Sequence, residues 1–132
     1  MKATYLLLLI GFITLPINSQ TAEEYLNNAN AKFYNDDYYG SIADYTKAIE
    51  LRPDNADAYN NRGFVKSDLG DNYGAIADYT KAIELNPDDP SAYNNRGVAK
   101  GSLGDDNGAC QDARKAQQLG YDATELINIA CN

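Results

Sequence analysis

Three asparagines, Asn27, Asn61 and Asn95, stand 34 residues apart, and Asn60 and Asn94 keep the same interval. A side-chain amide offers both a donor and an acceptor. A row of them, one per interval, can hydrogen-bond the backbone of an extended peptide without reading its sequence. Tolerated polar surface, copied when the interval duplicated, is the plainer alternative. Two arginines, Arg62 and Arg96, and three acids, Asp44, Asp78 and Asp112, follow the same spacing. Cations on a packed surface need partners, and these acids are the candidates. The only cysteines are Cys110 and Cys131; an even count permits one disulfide in an oxidising compartment, with two free buried thiols as the alternative. No catalytic set accompanies these residues. The chain has no His and no CxxC pair. Asp54, Asp57, Asp88 and Asp89 flank helix-breaking prolines, where Asp is ordinary turn and cap chemistry, and an EF-hand spacing is absent. The chain is therefore expected to be no enzyme and to hold no metal or cofactor.

With 132 residues the chain is long enough for one domain. Residues 1–20 read as a leader: Lys2, then the apolar run "TYLLLLIGFITLP", then polar "INSQ". The run falls short of the ~20 residues that span a bilayer, as expected of a secretory signal peptide cleaved near Ser19. An uncleaved anchor is the alternative. With the leader removed, no stable membrane anchor is expected, and the protein is placed in the periplasm or outside the cell. Losing Lys2 takes the net charge from −8 to about −9. Nucleic-acid binding needs Lys and Arg to displace counterions, so an acidic chain is not expected to bind nucleic acid.

The interval itself dictates the elements. "SIADYTKAIELRPDNADAYNNRG" (41–63) and "AIADYTKAIELNPDDPSAYNNRG" (75–97) agree at 18 of 23 positions. A worn copy follows at 108–122 and a partial one precedes at 22–40. A fixed period of this size predicts a solenoid of identical units. Within a unit, "ADAYNNRGFVKSDL" reads as a helix ended by Gly70, and "YGAIADYTKAIEL" as a second helix stopped by "NPDD". The linker "GDN" is short, so the two helices are antiparallel neighbours. Small residues mark close crossings: Ala29, Gly63 and Gly97 on the first helices, and Ser41, Ala75, Ala109 with Ala48, Ala82, Ala116 on the second.

A 34-residue helix–turn–helix unit with aromatic, Gly, Ala, Tyr, Ala and Pro at these spacings resembles the tetratricopeptide repeat (TPR). The resemblance implies an all-α, right-handed α-solenoid. Three repeats fit, at 22–55, 56–89 and 90–123, with 124–132 as a C-terminal capping segment. The third repeat departs from the pattern: Ala113 replaces the tyrosine and Tyr121 the proline. Rotating 100° per residue puts Asn27, Asn30, Phe33, Asn60, Asn61, Phe64, Asn94 and Asn95 on the face of the first helices that looks away from their neighbours. In TPR arrays that face resembles the lining of a concave groove, and the asparagine row looks like the ladder of other superhelical repeats. TPR domains that grip the C-terminal carboxylate of heat-shock chaperones use two Asn and three cations. The matching places are Leu26, Asn30, Asn61, Ser91 and Asn95, so the cations are missing. Net acidity points to a neutral or basic peptide segment instead.

Arg62 and Arg96 fall on the packed face, as do Lys32, Lys66 and Lys100. Each acid is expected to bind Lys of its own repeat and Arg of the next, giving inter-repeat pairs Asp44–Arg62 and Asp78–Arg96; an Arg62–Asp78 pair within one repeat is the alternative. Cys131 falls on the packing side of the capping segment, against the helix that carries Cys110, which favours a Cys110–Cys131 bond. The expected function is a non-enzymatic adaptor that binds an extended peptide of a partner protein. The alternative is a structural or assembly component that self-stacks, weakly self-associating or supporting an envelope complex.

Overall fold

The computed structural model describes residues 20–132, so the expected leader, apart from Gln20, lies outside the described residues. The chain forms α1 (Ala22–Tyr34), α2 (Tyr38–Leu51), α3 (Ala56–Asp68), α4 (Asn72–Leu85), α5 (Pro90–Ser102), α6 (Asp106–Gln118) and α7 (Thr124–Ala130). Among the described residues there is no strand, and no helix is long and apolar enough to cross a membrane. Helices α1/α2, α3/α4 and α5/α6 pack as antiparallel pairs. Successive pairs join through α2/α3 and α4/α5, and α7 closes the end against α6. This is a right-handed α-solenoid.

Local chemistry sets each boundary. Helix α1 opens with a capping box: Glu24 N–H donates to Thr21 Oγ1 at 3.2 Å, and Thr21 N–H donates to Glu24 Oε2 at 2.8 Å. Each second helix opens on an Asp whose Oδ1 accepts from a glycine N–H three residues on, at 2.9 Å: Asp37 from Gly40, Asp71 from Gly74, Asp105 from Gly108. A Cβ at any of these glycines would stand 2.1–2.2 Å from the Asp Oδ2, so a larger residue there would push the capping carboxylate aside. Gly70 and Gly104 end the first helices of repeats two and three with φ of +83° and +81°. In the first repeat Asp36, at φ 61°, takes that place. The second helices α2 and α4 stop just before Pro53 and Pro87. Helix α6 has Tyr121 in that position and ends instead on Gly120, at φ +96°.

The core lies in the seams. Ala29 and Tyr45 of the first repeat meet Val65 of the second; Ala75 and Tyr79 of the second meet Ala99 of the third. At the end, Ala113 and Ala116 meet Ala123, with Leu126 and Ile127 of α7 against them. The small residues read from the sequence are buried at the crossings, Ala29, Ser41, Ala75 and Ala109 to 0 % exposure. The third repeat's Ala113 is explained here. A Cβ on Gly63 would meet the Tyr79 ring at 3.0 Å, whereas one on Gly97 would meet Leu126 Cδ2 at 2.9 Å. Leu126 of the cap thus occupies, over Gly97, the place that a tyrosine ring fills one repeat earlier. Cys110 on α6 is bonded to Cys131 just past α7, which fastens the cap from its far end.

Candidate functional site

The first helices α1, α3 and α5 line one face, and their outward side chains meet across it. The Phe33 and Phe64 rings stand 5.7 Å apart, edge to face, a favourable aromatic geometry. Below them, a cleft of about 350 Å³ is lined by Asn30, Phe33, Tyr34, Tyr45, Asn61, Phe64 and Val65. The Tyr45 hydroxyl donates to Asn30 Oδ1, which fixes that amide at the cleft. Tyr45 is 2 % exposed, and burial pushes its phenol above its ordinary value. The floor is therefore a neutral hydrogen-bonding surface between aromatic walls, suited to a peptide group flanked by an apolar side chain. Phe64 is 43 % exposed and offers that apolar contact directly.

The predicted asparagines differ in their surroundings. Asn30 and Asn61 come together in this cleft. Asn95 Nδ2 approaches Asn60 Oδ1 at 3.5 Å, the long limit of a hydrogen bond, and links α5 to α3. Asn94 lines a second cleft, of about 520 Å³, between α5 and α7. Asn27 is exposed on α1, with no earlier helix described beside it. The second cleft is not foreshadowed by the repeat pattern. Its signal was the short apolar stretch "TELINIA", which adds a wall beyond the third repeat.

The arginines correct an expectation. Arg62 does not bind Asp44, nor Arg96 Asp78. Arg62 Nε and Nη2 donate to Asp78 Oδ2 and Oδ1 at 2.9 and 2.7 Å, and Arg96 grips Asp112 at 2.8 and 2.7 Å. Both pairs lie within one repeat. Asp44 pairs with Lys32 at 2.7 Å. Lys66 and Lys100 join Asp78 and Asp112 at 2.8 Å. The reason is helical spacing: Arg and Lys stand i, i+4 on the first helix, so one carboxylate on the paired helix serves both. The seam is crossed by a hydroxyl instead. Arg62 Nη1 donates to Thr46 Oγ1 at 3.0 Å, and Arg96 Nη1 to Thr80 Oγ1 at 3.2 Å. Thr46 and Thr80, 34 residues apart in "DYTKAIEL", were the signal that sequence reading passed over. Each guanidinium also lies near a tyrosine ring of its own helix, Arg62 at 5.6 Å from Tyr59 and Arg96 at 5.7 Å from Tyr93. The Asp112 hydrogen bonds hold the Arg96 guanidinium above its ordinary range, so it stays charged. Asp78 and Asp112 are buried and the cations on them half-buried, so these groups belong to assembly of the solenoid.

Comparison with known proteins agrees with this architecture. The family described as "TPR repeat" matches residues 29–70 and 66–104. Among solved structures, the first TPR of Spaghetti (RPAP3) bound to HSP90 peptide SRMEEVD is similar at 26% identity and TM-score 0.82, covering 86% of this chain and 93% of that one. The TPR2B domain of yeast Sti1, in a complex with pHsp70, is similar at 25% identity and TM-score 0.81, covering 86% and 98%. MamA is similar at 31% identity and TM-score 0.74, covering 75% of this chain and 58% of that one. No curated protein sequence matches the chain.

Proposed function

Because this chain belongs to the tetratricopeptide-repeat family, we propose that it is a non-enzymatic adaptor, exported from the cytoplasm, that binds an extended peptide segment of a partner protein along the face of α1, α3 and α5. One observation carries the reading: Asn30 and Asn61 converge in a cleft walled by Phe33 and Phe64. An amide pair there bonds a peptide group of the ligand, and the rings take the adjoining side chain. The TPR domains of Spaghetti and Sti1 were solved with chaperone peptides or partners, which supports a peptide as the ligand class. The ligand preferred here differs in charge. Leu26, Ser91 and Asn95 stand where a carboxylate clamp has cations, and the chain carries −8 overall. A neutral or basic segment is favoured, through attraction that salt weakens. The Cys110–Cys131 bond supports an oxidising compartment.

End-to-end stacking finds less support. The seam link needs an Arg on one side and a Thr on the other. The first repeat has Asn28 in the Arg place, and the third has Arg114 in the Thr place. The ladder therefore stops at both ends. A peptide array screened with the oxidised protein, then with Asn61→Ala and Phe64→Ala, tests the proposal. Hits rich in neutral and basic residues that vanish in both variants are expected; hits indifferent to both contradict it.

A further inference from the structure

The cleft between α5 and α7 has a chemistry distinct from the Asn30–Asn61 cleft. Part of its lining is apolar: Val98, 46 % exposed, Ile129, 70 % exposed, and half-buried Leu126. Its rim is acidic, from Asp106, Asp122 and Glu125, and no Lys or Arg lines it. None of these acids forms an ion pair among the described residues. The nearby cations Arg96 and Lys100 are committed to Asp112. Asp122 Oδ1 accepts from Thr124 N–H and Oγ1–H at 3.2 and 2.7 Å. These bonds hold its carboxyl below the usual range, so it is ionised at neutral pH. A long cationic side chain matches both parts, since Lys and Arg lay an apolar stem on a hydrophobic surface and keep the charge in a wet, polar rim.

We propose that this cleft is a subsite for a lysine or arginine of the bound segment, with the stem on Val98 and Ile129 and the cation at the rim of Asp106, Asp122 and Glu125. The subsite rests on the groove-binding reading and gives it a charge preference at the C-terminal end.

Two fluorescein-labelled peptides test it, one alternating leucine with lysine and one alternating leucine with glutamate, titrated by anisotropy into the oxidised protein at low salt. The lysine peptide is expected to bind, to shift the Val98 and Ile129 methyl resonances, and to weaken roughly five- to tenfold with D106N/E125Q. The glutamate peptide is expected to bind more weakly and to ignore that variant. Equal binding of the two peptides, or a lysine peptide indifferent to D106N/E125Q, overturns the subsite. If such binding is still lost with N61A or F64A, the groove reading stands without the subsite. If neither peptide binds, both fall.

Discussion

Leu126 lies over Gly97 as Tyr79 lies over Gly63 one repeat earlier. The capping helix therefore completes the core of the last repeat. Shortening the side chain leaves a void beside Ala113 and Ala116. Leu126 is half-buried, so Leu126→Ala is expected to lower stability by about 1–2 kcal/mol in urea denaturation and to speed hydrogen exchange in α7. A change within ~0.5 kcal/mol would show that the cap adds little.

Much of this was legible in the sequence, and the gaps have physical causes. The period, the glycine and proline stops and the small crossing residues act locally, so helix order and boundaries followed from them. Ala113 looks like erosion when the repeats are set only beside each other. The compensating bulk, Leu126, comes from an element outside the repeat. The arginine pairing was misplaced because an angular sector names a face and not the partner. A first helix touches the second helices of two repeats, and the i, i+4 placing of Arg62 and Lys66 decides between them. The asparagines also differ in their neighbours, for a related reason. Equal rotation on each helix does not give equal neighbours, so Asn61 meets Asn30 while Asn27 meets solvent.

The arginine assignment has a direct test. Asp78 is 5 % exposed and holds both Arg62 and Lys66. Asp78→Ala strands two cations in the seam and is expected to cost about 3–5 kcal/mol. A double-mutant cycle should give strong coupling between Arg96 and Asp112 and a value near zero between Arg96 and Asp78. Coupling to Asp78 instead would restore the inter-repeat pairing.

Ser41 is fully buried, and its hydroxyl, beside the Tyr45 phenol, makes no hydrogen bond of normal geometry. The equivalent places hold Ala75 and Ala109, both 0 % exposed. Ser41→Ala should therefore stabilise the fold by about 1 kcal/mol, the penalty of an unpartnered buried polar group. Thermal and urea melts read the sign; a destabilised variant would mean that the hydroxyl has a partner.

Burial pushes the Tyr79 and Tyr45 phenols above their ordinary value. Their folded pKa exceeds the unfolded one, about 10, so the unfolded chain releases these protons first. Stability is then fully present below about pH 10 and falls as pH rises beyond it. Tyr79→Phe should soften that fall. Circular dichroism with tyrosinate absorbance follows it, and parallel alkaline losses in parent and variant would contradict the assignment.

Peptide binding would depend on the cleft that Asn61 and Phe64 share with Asn30 and Phe33. The most direct measurement is the affinity of the best array peptide for the oxidised protein, for Asn61→Ala and for Phe64→Ala, with helicity checked in each. Losing an amide contact or an aromatic wall should each weaken binding by about tenfold, near 1.4 kcal/mol, at unchanged helicity. Affinities that stay within twofold of the parent in both variants would contradict the proposal that this face binds peptide.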